Sequence, residues 1–218
     1  MGGMARRWRW LLVPGAVLIA VGVIAAIPAS RTAMLRSAGW VLVVNEPVQP
    51  ADIIVITADS DGAGTLEAAD LVHQGIAARV AVFEDPPDVI DREFLRRGLP
   101  YHNATTQFTE DLQRLGVRTI ERIPRSVSGT DDEGRVLPAW FAQRGFRSVI
   151  VVCTSDHSRR VRRVLARALK DRGTRVTIRY ARYSRFDPDR WWQTRDGVRT
   201  AIVELEKLAL DMLRHPIS

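Results

Sequence analysis

One cysteine and two lysines stand in this chain of 218 residues, the cysteine at Cys153 and the lysines at Lys170 and Lys207. A lone cysteine excludes an internal disulfide and any cysteine cluster for a metal, and it leaves the redox compartment open. Walker loop, zinc-ligand spacing, Rossmann glycine fingerprint and G-x-S-x-G nucleophile elbow are all missing. Neither an internal repeat nor a low-complexity segment is present, so solenoid and disordered classes are set aside. With so few lysines, the basic charge comes from 30 arginines, and the formal net charge is +7. Such a balance can draw anionic partners. Here acidic residues interleave with the arginines almost throughout, which favours solvated charge on helix faces, and no nucleic-acid partner is expected.

Charge is also missing from Trp10 to Ser30, a run of 21 residues bracketed by Arg9 and Arg31. As a helix it would span roughly 31 Å, close to the hydrocarbon thickness of a bilayer. Trp8 and Trp10 suit an interfacial belt, and Arg6, Arg7 and Arg9 place the N-terminus on the cytoplasmic side. The expectation is a cytoplasmic tail at 1–9, a transmembrane helix at 10–30, a juxtamembrane connector at 31–50 and an extracytoplasmic domain at 51–215. A cleaved signal peptide is the rival, but Ala26 to Arg31 lacks a clean small-x-small exit.

The rest alternates short apolar runs with amphipathic stretches. Ile53–Ile56, Arg79–Phe83, Arg118–Ile123, Ser148–Cys153 and Thr174–Ala181 read as strands. Thr65–Gln74, Asp88–Arg97, Thr105–Leu115, Thr130–Arg144 and the segment from Ser158 read as helices, as does a last one marked by Val198, Ile202, Leu205 and Met212. Pro138 should kink or delay its helix. The fold class is therefore α/β, a mostly parallel Rossmann-like sheet flanked by helices and preceded by one N-terminal transmembrane helix. In such sheets ligands bind beyond the carboxyl ends of the strands.

Ser148 to Leu169 carries the strongest signal, a buried-type strand, the polar turn Thr154-Ser155-Asp156-His157, and a helix. His157 is a candidate general acid/base, and Arg160, in the first helical turn, would hold a phosphate or carboxylate in a fork. Thr154 and Ser155 could cap the helix or touch a ligand, and a Ser155–His157 nucleophilic pair lacks the elbow it needs. Thr130 and Glu133 form an S/T-x-x-E capping box that could double as part of a site. Asp59 and Ser60 follow the first strand and complete the candidate ligand-binding set. The acids Asp59, Asp61, Glu84 and Asp85 read as solvated loop residues, and no metal site is assigned.

These pieces resemble the YdcF/SanA/ElyC-like family of bacterial envelope-associated proteins. The resemblance rests on Asp52-Ile53-Ile54-Val55-Ile56, on Gly129-Thr130-Asp131-Asp132-Glu133, and on Val152-Cys153-Thr154-Ser155-Asp156-His157-Ser158-Arg159-Arg160-Val161, with Trp191-Trp192 before the last helix. It covers roughly residues 50–213 and the anchor. It implies a membrane-anchored Rossmann-like domain with a role in envelope or peptidoglycan homeostasis; the family's reaction is poorly defined. The chain departs from the family where Gly-Gly after the first strand is Thr57-Ala58 and where Ser-Gly-Gly after the next is Glu84-Asp85-Pro86. Lost glycines weaken backbone binding of a phosphate there.

The expected function is binding of an anionic, phosphorylated envelope precursor, small or lipid-linked, with transfer or hydrolysis left open and the cofactor unknown. The alternatives are a catalytically degenerate interaction or scaffold protein, whose Arg159, Arg162 and Arg163 would face a partner, and a nucleotide or methyl-donor binding domain.

Overall fold

In the computed structural model, residues 27–84, 86–100, 104–124 and 129–216 are described. The tail at 1–9 and the uncharged segment at 10–30, as far as residue 26, lie outside them. Among the described residues no helix is long and apolar enough to cross a membrane.

Five parallel strands form the sheet: β1 (Ile53–Ile56), β2 (Arg79–Phe83), β3 (Thr119–Ile123), β4 (Ser148–Cys153) and β5 (Arg175–Tyr180). Their order is β3-β2-β1-β4-β5. Val55 sits opposite Ala81 on one side and Val151 on the other. The chain winds outward from β1 through β2 to β3, then returns to the other side of β1 as β4. The turns after β1 and β4 therefore part in opposite directions, and this switch point opens a crevice at the carboxyl rim.

Both faces of the sheet are buried, which is why its central strands read as unbroken apolar runs. Ile54, Ile56, Val80, Val82, Ile150 and Val152 pack beneath α2 (Asp61–His73) and α4 (Ala104–Arg114). Ile53, Val55, Val149 and Val151 face α5 (Thr130–Arg144) and α6 (Ser158–Ala168) through Leu137, Phe141, Val161 and Leu165. Between β2 and α4, α3 (Val89–Arg96) buries no residue. Outside α6 lies α7 (Arg195–Arg214).

Several expectations are corrected. The connector is not a plain linker: α1 (Pro28–Val41) opens on a proline, the position where a missing N–H costs least. It docks on the domain through Leu35, Ala38 and Leu42 against Trp191, Ala201 and Leu208. Trp191 Nε1 donates to Leu35 O at 2.7 Å and Trp40 Nε1 to Asp189 Oδ1 at 3.1 Å. The helix α2 starts four residues earlier than the apolar spacing indicates, at Asp61, whose φ of 48° is tolerated by a short polar side chain. Pro138 does not delay α5, which runs unbroken past it with Leu137, Pro138, Trp140 and Phe141 buried.

At Gly39 an added Cβ would lie 2.4 Å from Pro188 O and 2.8 Å from Trp191 Cδ1. Rigid groups meet it on both sides, so α1 docks only with a glycine there. Gly39→Ala should destabilise the protein by about 1–3 kcal/mol, the usual cost of overpacking. Gly62→Ala, with open space around it, should be neutral or stabilising by up to about 1 kcal/mol. Urea denaturation of both variants checks this, and equal midpoints would break the account of α1.

Candidate functional site

The turn after β1 is held from within. Thr57 N–H donates to Val152 O at 2.9 Å, and Ser60 Oγ donates to the same carbonyl at 3.2 Å while bonding to Thr57 Oγ1. Ser60 is wholly buried and braces the turn, and it also lies in the wall of a cleft on the far side of Asp59. Gly64 lets α2 press onto this turn: a Cβ there would sit 2.5 Å from Ser60 Cβ and 2.7 Å from Ile56 Cγ2.

Glu133 does not close a capping box with Thr130. The N-cap of α5 is Gly129, with φ 113°, and no side chain caps the helix. Instead Glu133 Oε1 accepts from Ala58 N–H at 2.9 Å, tying the first turn of α5 to the end of β1. A backbone donor that could have met a phosphate is thereby occupied. Thr130 is 3 % exposed, and its Oγ1 has no hydrogen-bond partner among the described residues.

After β4 the chain makes one 3-10 turn, Ser155–His157. Ser155 Oγ donates to Phe186 O at 3.0 Å and its N–H to Ser184 Oγ at 3.1 Å. Ser155 is thus a buried latch, its hydroxyl and N–H both engaged within the fold. His157 is 3 % exposed. Its Nδ1 lies 2.9 Å from Thr154 Oγ1 and 3.6 Å from Asp156 Oδ2, and its Nε2 lies 3.5 Å from Asp59 Oδ1. Burial opposes a charge on the ring, but Asp156 and Asp59 outweigh it and raise its pKa to about 10. At neutral pH the ring is then an imidazolium; Nδ1 is hydrogen-bonded to Thr154 Oγ1, while Nε2 faces Asp59 across an ion-pair contact with no hydrogen bond among the described residues. The same contacts outweigh burial at the carboxylates, holding Asp59 well below the usual range and lowering Asp156. A ring so charged and so enclosed is poorly placed to take up a proton as a base.

Arg160 spends Nε and Nη2 on Glu204 Oε2 of α7, at 3.2 and 3.1 Å, so its fork is half committed. Lys207 Nζ lies 2.6 Å from the other oxygen, Glu204 Oε1. The rest of the arginine row turns inward as well. Arg162 pairs with Glu46, Arg163 and Arg167 share Asp211, and Arg159 holds the carbonyls of Val41 and Val43. They are not a spare face for a partner.

These turns enclose a cleft of about 540 Å³, within the size range of small-molecule sites. Asp59, Thr130 and Arg160 line it, and so do Arg135, Lys207 and Arg214. Three reversals distant in sequence therefore meet at one rim, while His157 sits behind Asp59 and lines no cleft. A second cleft of about 330 Å³ adjoins on the far side of Asp59, with Thr154, Asp156 and Tyr183 in its wall. Residues of α7 were missed from the sequence, where charges on an amphipathic helix carry no mark of a site. Among the described residues no three of His, Cys, Asp and Glu gather for a metal, and Asp85 lies outside them.

The chain matches no protein-family model and no curated protein. Among solved structures it is similar to the ribosomal RNA methyltransferase aviRa of Streptomyces viridochromogenes, at 13 % identity and TM-score 0.29 over 70 % of this chain and 73 % of that one. It is also similar to a mycobacterial quinone oxidoreductase, at 12 % identity and TM-score 0.30 over 84 % of this chain and 52 % of that one. The chain thus spans about half the length of the oxidoreductase, and likenesses this distant carry no functional argument.

A histidine whose folded pKa lies above its unfolded value near 6.5 contributes stability in full below pH 6.5. That contribution is lost as pH rises toward about 10. We expect urea stability to fall by roughly 3 kcal/mol between pH 6 and pH 10, discounted because Asp59 is 55 % exposed. His157→Gln should flatten this slope. An unchanged slope in the variant, or an imidazole NMR titration near 6.5, would remove the buried cation.

Proposed function

We propose that this chain binds an anionic small molecule, phosphorylated or carboxylated, in the cleft at the switch point. The observation that carries the reading is the placement of Arg160, Lys207 and Arg214 around one crevice at the carboxyl rim of the sheet, opposite the start of α5. Glu204 is shared by Arg160 and Lys207, one carboxylate against two cations. Arg214 makes no ion pair among the described residues. Net positive charge therefore remains on that wall.

The reading is binding without turnover by Ser155 or His157. Ser155 is latched to Phe186, and His157 is a buried cation behind Asp59. The YdcF/SanA/ElyC-like resemblance, together with the uncharged run at 10–30, extends the proposal to a single-pass envelope protein whose domain faces away from the cytoplasm and holds a phosphorylated precursor. A second reading, an envelope scaffold, draws on α3. Val89, Ile90, Phe94 and Leu95 are exposed there, beside the exposed Leu99, and such a face suits a protein partner.

Isothermal titration with pyrophosphate tests the first reading. Millimolar or tighter binding is expected at low salt, weakening as salt rises. The double variant Lys207→Ala/Arg214→Ala should weaken it at least tenfold, the loss of about 1.4 kcal/mol, without moving the thermal midpoint by more than about 2 °C. Absence of binding, or binding indifferent to both substitutions, would leave the scaffold reading.

A further inference from the structure

The cleft has two walls of opposite surplus charge. Arg160, Lys207, Asp211 and Arg214 line the α6–α7 wall, and at and behind it two carboxylates are each shared by two cations. Glu204 serves Arg160 and Lys207, and Asp211 serves Arg163 and Arg167. Arg214 adds a charge that no described acid answers. The opposite wall, from the β1 turn and the first turn of α5, carries Asp59, Asp131 and Asp132; Arg135 answers Asp132 at 3.2 Å and the His157 ring stands behind Asp59, which leaves Asp131 as the charge that no described residue answers. Asp131 is exposed and makes no ion pair among the described residues.

This second wall is badly built for a plain anion. The N-terminus of a helix favours negative charge, but at α5 two aspartates already fill that role, and a phosphate entering there would meet them. The wall suits a cationic group. Between the walls stands Thr130, buried in the cleft lining, whose Oγ1 lacks a partner among the described residues. A buried hydroxyl without a partner costs about 1–3 kcal/mol, a penalty that a bound polar ligand removes.

We propose that the cleft selects a zwitterion, with its phosphate or carboxylate against Arg160, Lys207 and Arg214, its ammonium against Asp59, Asp131 and Asp132, and a polar group on Thr130. The proposal rests on the anion-binding reading and narrows it to a phosphorylated or carboxylated amine. A dipolar ligand gains on both walls, whereas a pure anion gains on one and is repelled by the other.

The test is a matched pair of probes, glucosamine 6-phosphate and glucose 6-phosphate, which differ by the ammonium. Titration calorimetry of the full chain at pH 7 should give at least about tenfold tighter binding for the amino sugar. Asp131→Asn, alone and with Asp132→Asn, should bring the two sugars within about twofold of each other, with the glucose 6-phosphate affinity unchanged or improved. Lys207→Ala/Arg214→Ala should weaken both sugars alike. Equal affinities in the native chain, or a preference that survives both aspartate variants, overturn the zwitterion and leave anion binding standing. If neither sugar phosphate binds, the zwitterion falls, and the pyrophosphate titration alone decides the anion-binding reading.

Discussion

A buried imidazolium between two carboxylates organises the carboxyl rim of this sheet. The turns after β1 and β4 diverge at the switch point; Thr57 N–H and Ser60 Oγ bond the first to Val152 O at the base of the gap. His157 adds a charged link above them, with Asp59 of one turn near Nε2 and Asp156 of its own turn beyond Nδ1. Thr154 Oγ1, 2.9 Å from Nδ1, completes the ring's shell. Taking a cation out of water is costly, and only paired opposite charge makes it tolerable. Once made, the cluster fixes where Asp59 stands, and Asp59 in turn divides the two clefts.

The arginine excess is used in the same manner. Arginine carries a rigid planar fork, and in this fold it repeatedly clamps acids contributed by distant segments. Arg160, Arg163 and Arg167 fasten α6 to α7 through Glu204 and Asp211, and Arg162 fastens it to Glu46 before β1. On the other face, Glu67 of α2 is fully buried and receives Arg179 and Arg182 from β5 and the turn beyond it. Burial resists charge on Glu67, yet those bonds hold its pKa below the ordinary value. A chain of net charge +7 thus keeps few of its α6 cations for a partner, and the exceptions around the cleft are correspondingly informative.

Much of the frame was legible in the sequence because parallel strands buried on both faces must be apolar throughout. Ile53–Ile56 and Ser148–Cys153 show this plainly. The central turn was legible too, since a polar tetrad between such a strand and an amphipathic helix has one natural place. What the sequence could not show were contacts between segments far apart in the chain. A capping box is a local pattern, and it predicted Glu133 folding back on Thr130; the observed partner is Ala58, 75 positions away. Ser155 reads as a free hydroxyl until Phe186 arrives beneath it. The α7 wall had no local mark, because Lys207 and Arg214 look like any solvated helix charge. Gly39 had none either, since its necessity lies in Pro188 and Trp191.

These contacts close the turn after β1 to an anion held by backbone N–H groups. Where backbone N–H groups would cradle a phosphate after β1, Ala58 N–H is given to Glu133. Thr57 and Ser60 bond to each other through their hydroxyls in the same turn. Positive charge at the cleft comes from side chains instead, Arg160 of α6 and, about two helix turns apart on α7, Lys207 and Arg214. Side-chain cations reach further than backbone amides and hold a ligand less rigidly. With Asp59, Asp131 and Asp132 on one side of the cleft, Arg160, Lys207 and Arg214 on the other, and His157 held behind Asp59, the proposed ligand would meet charge of both signs.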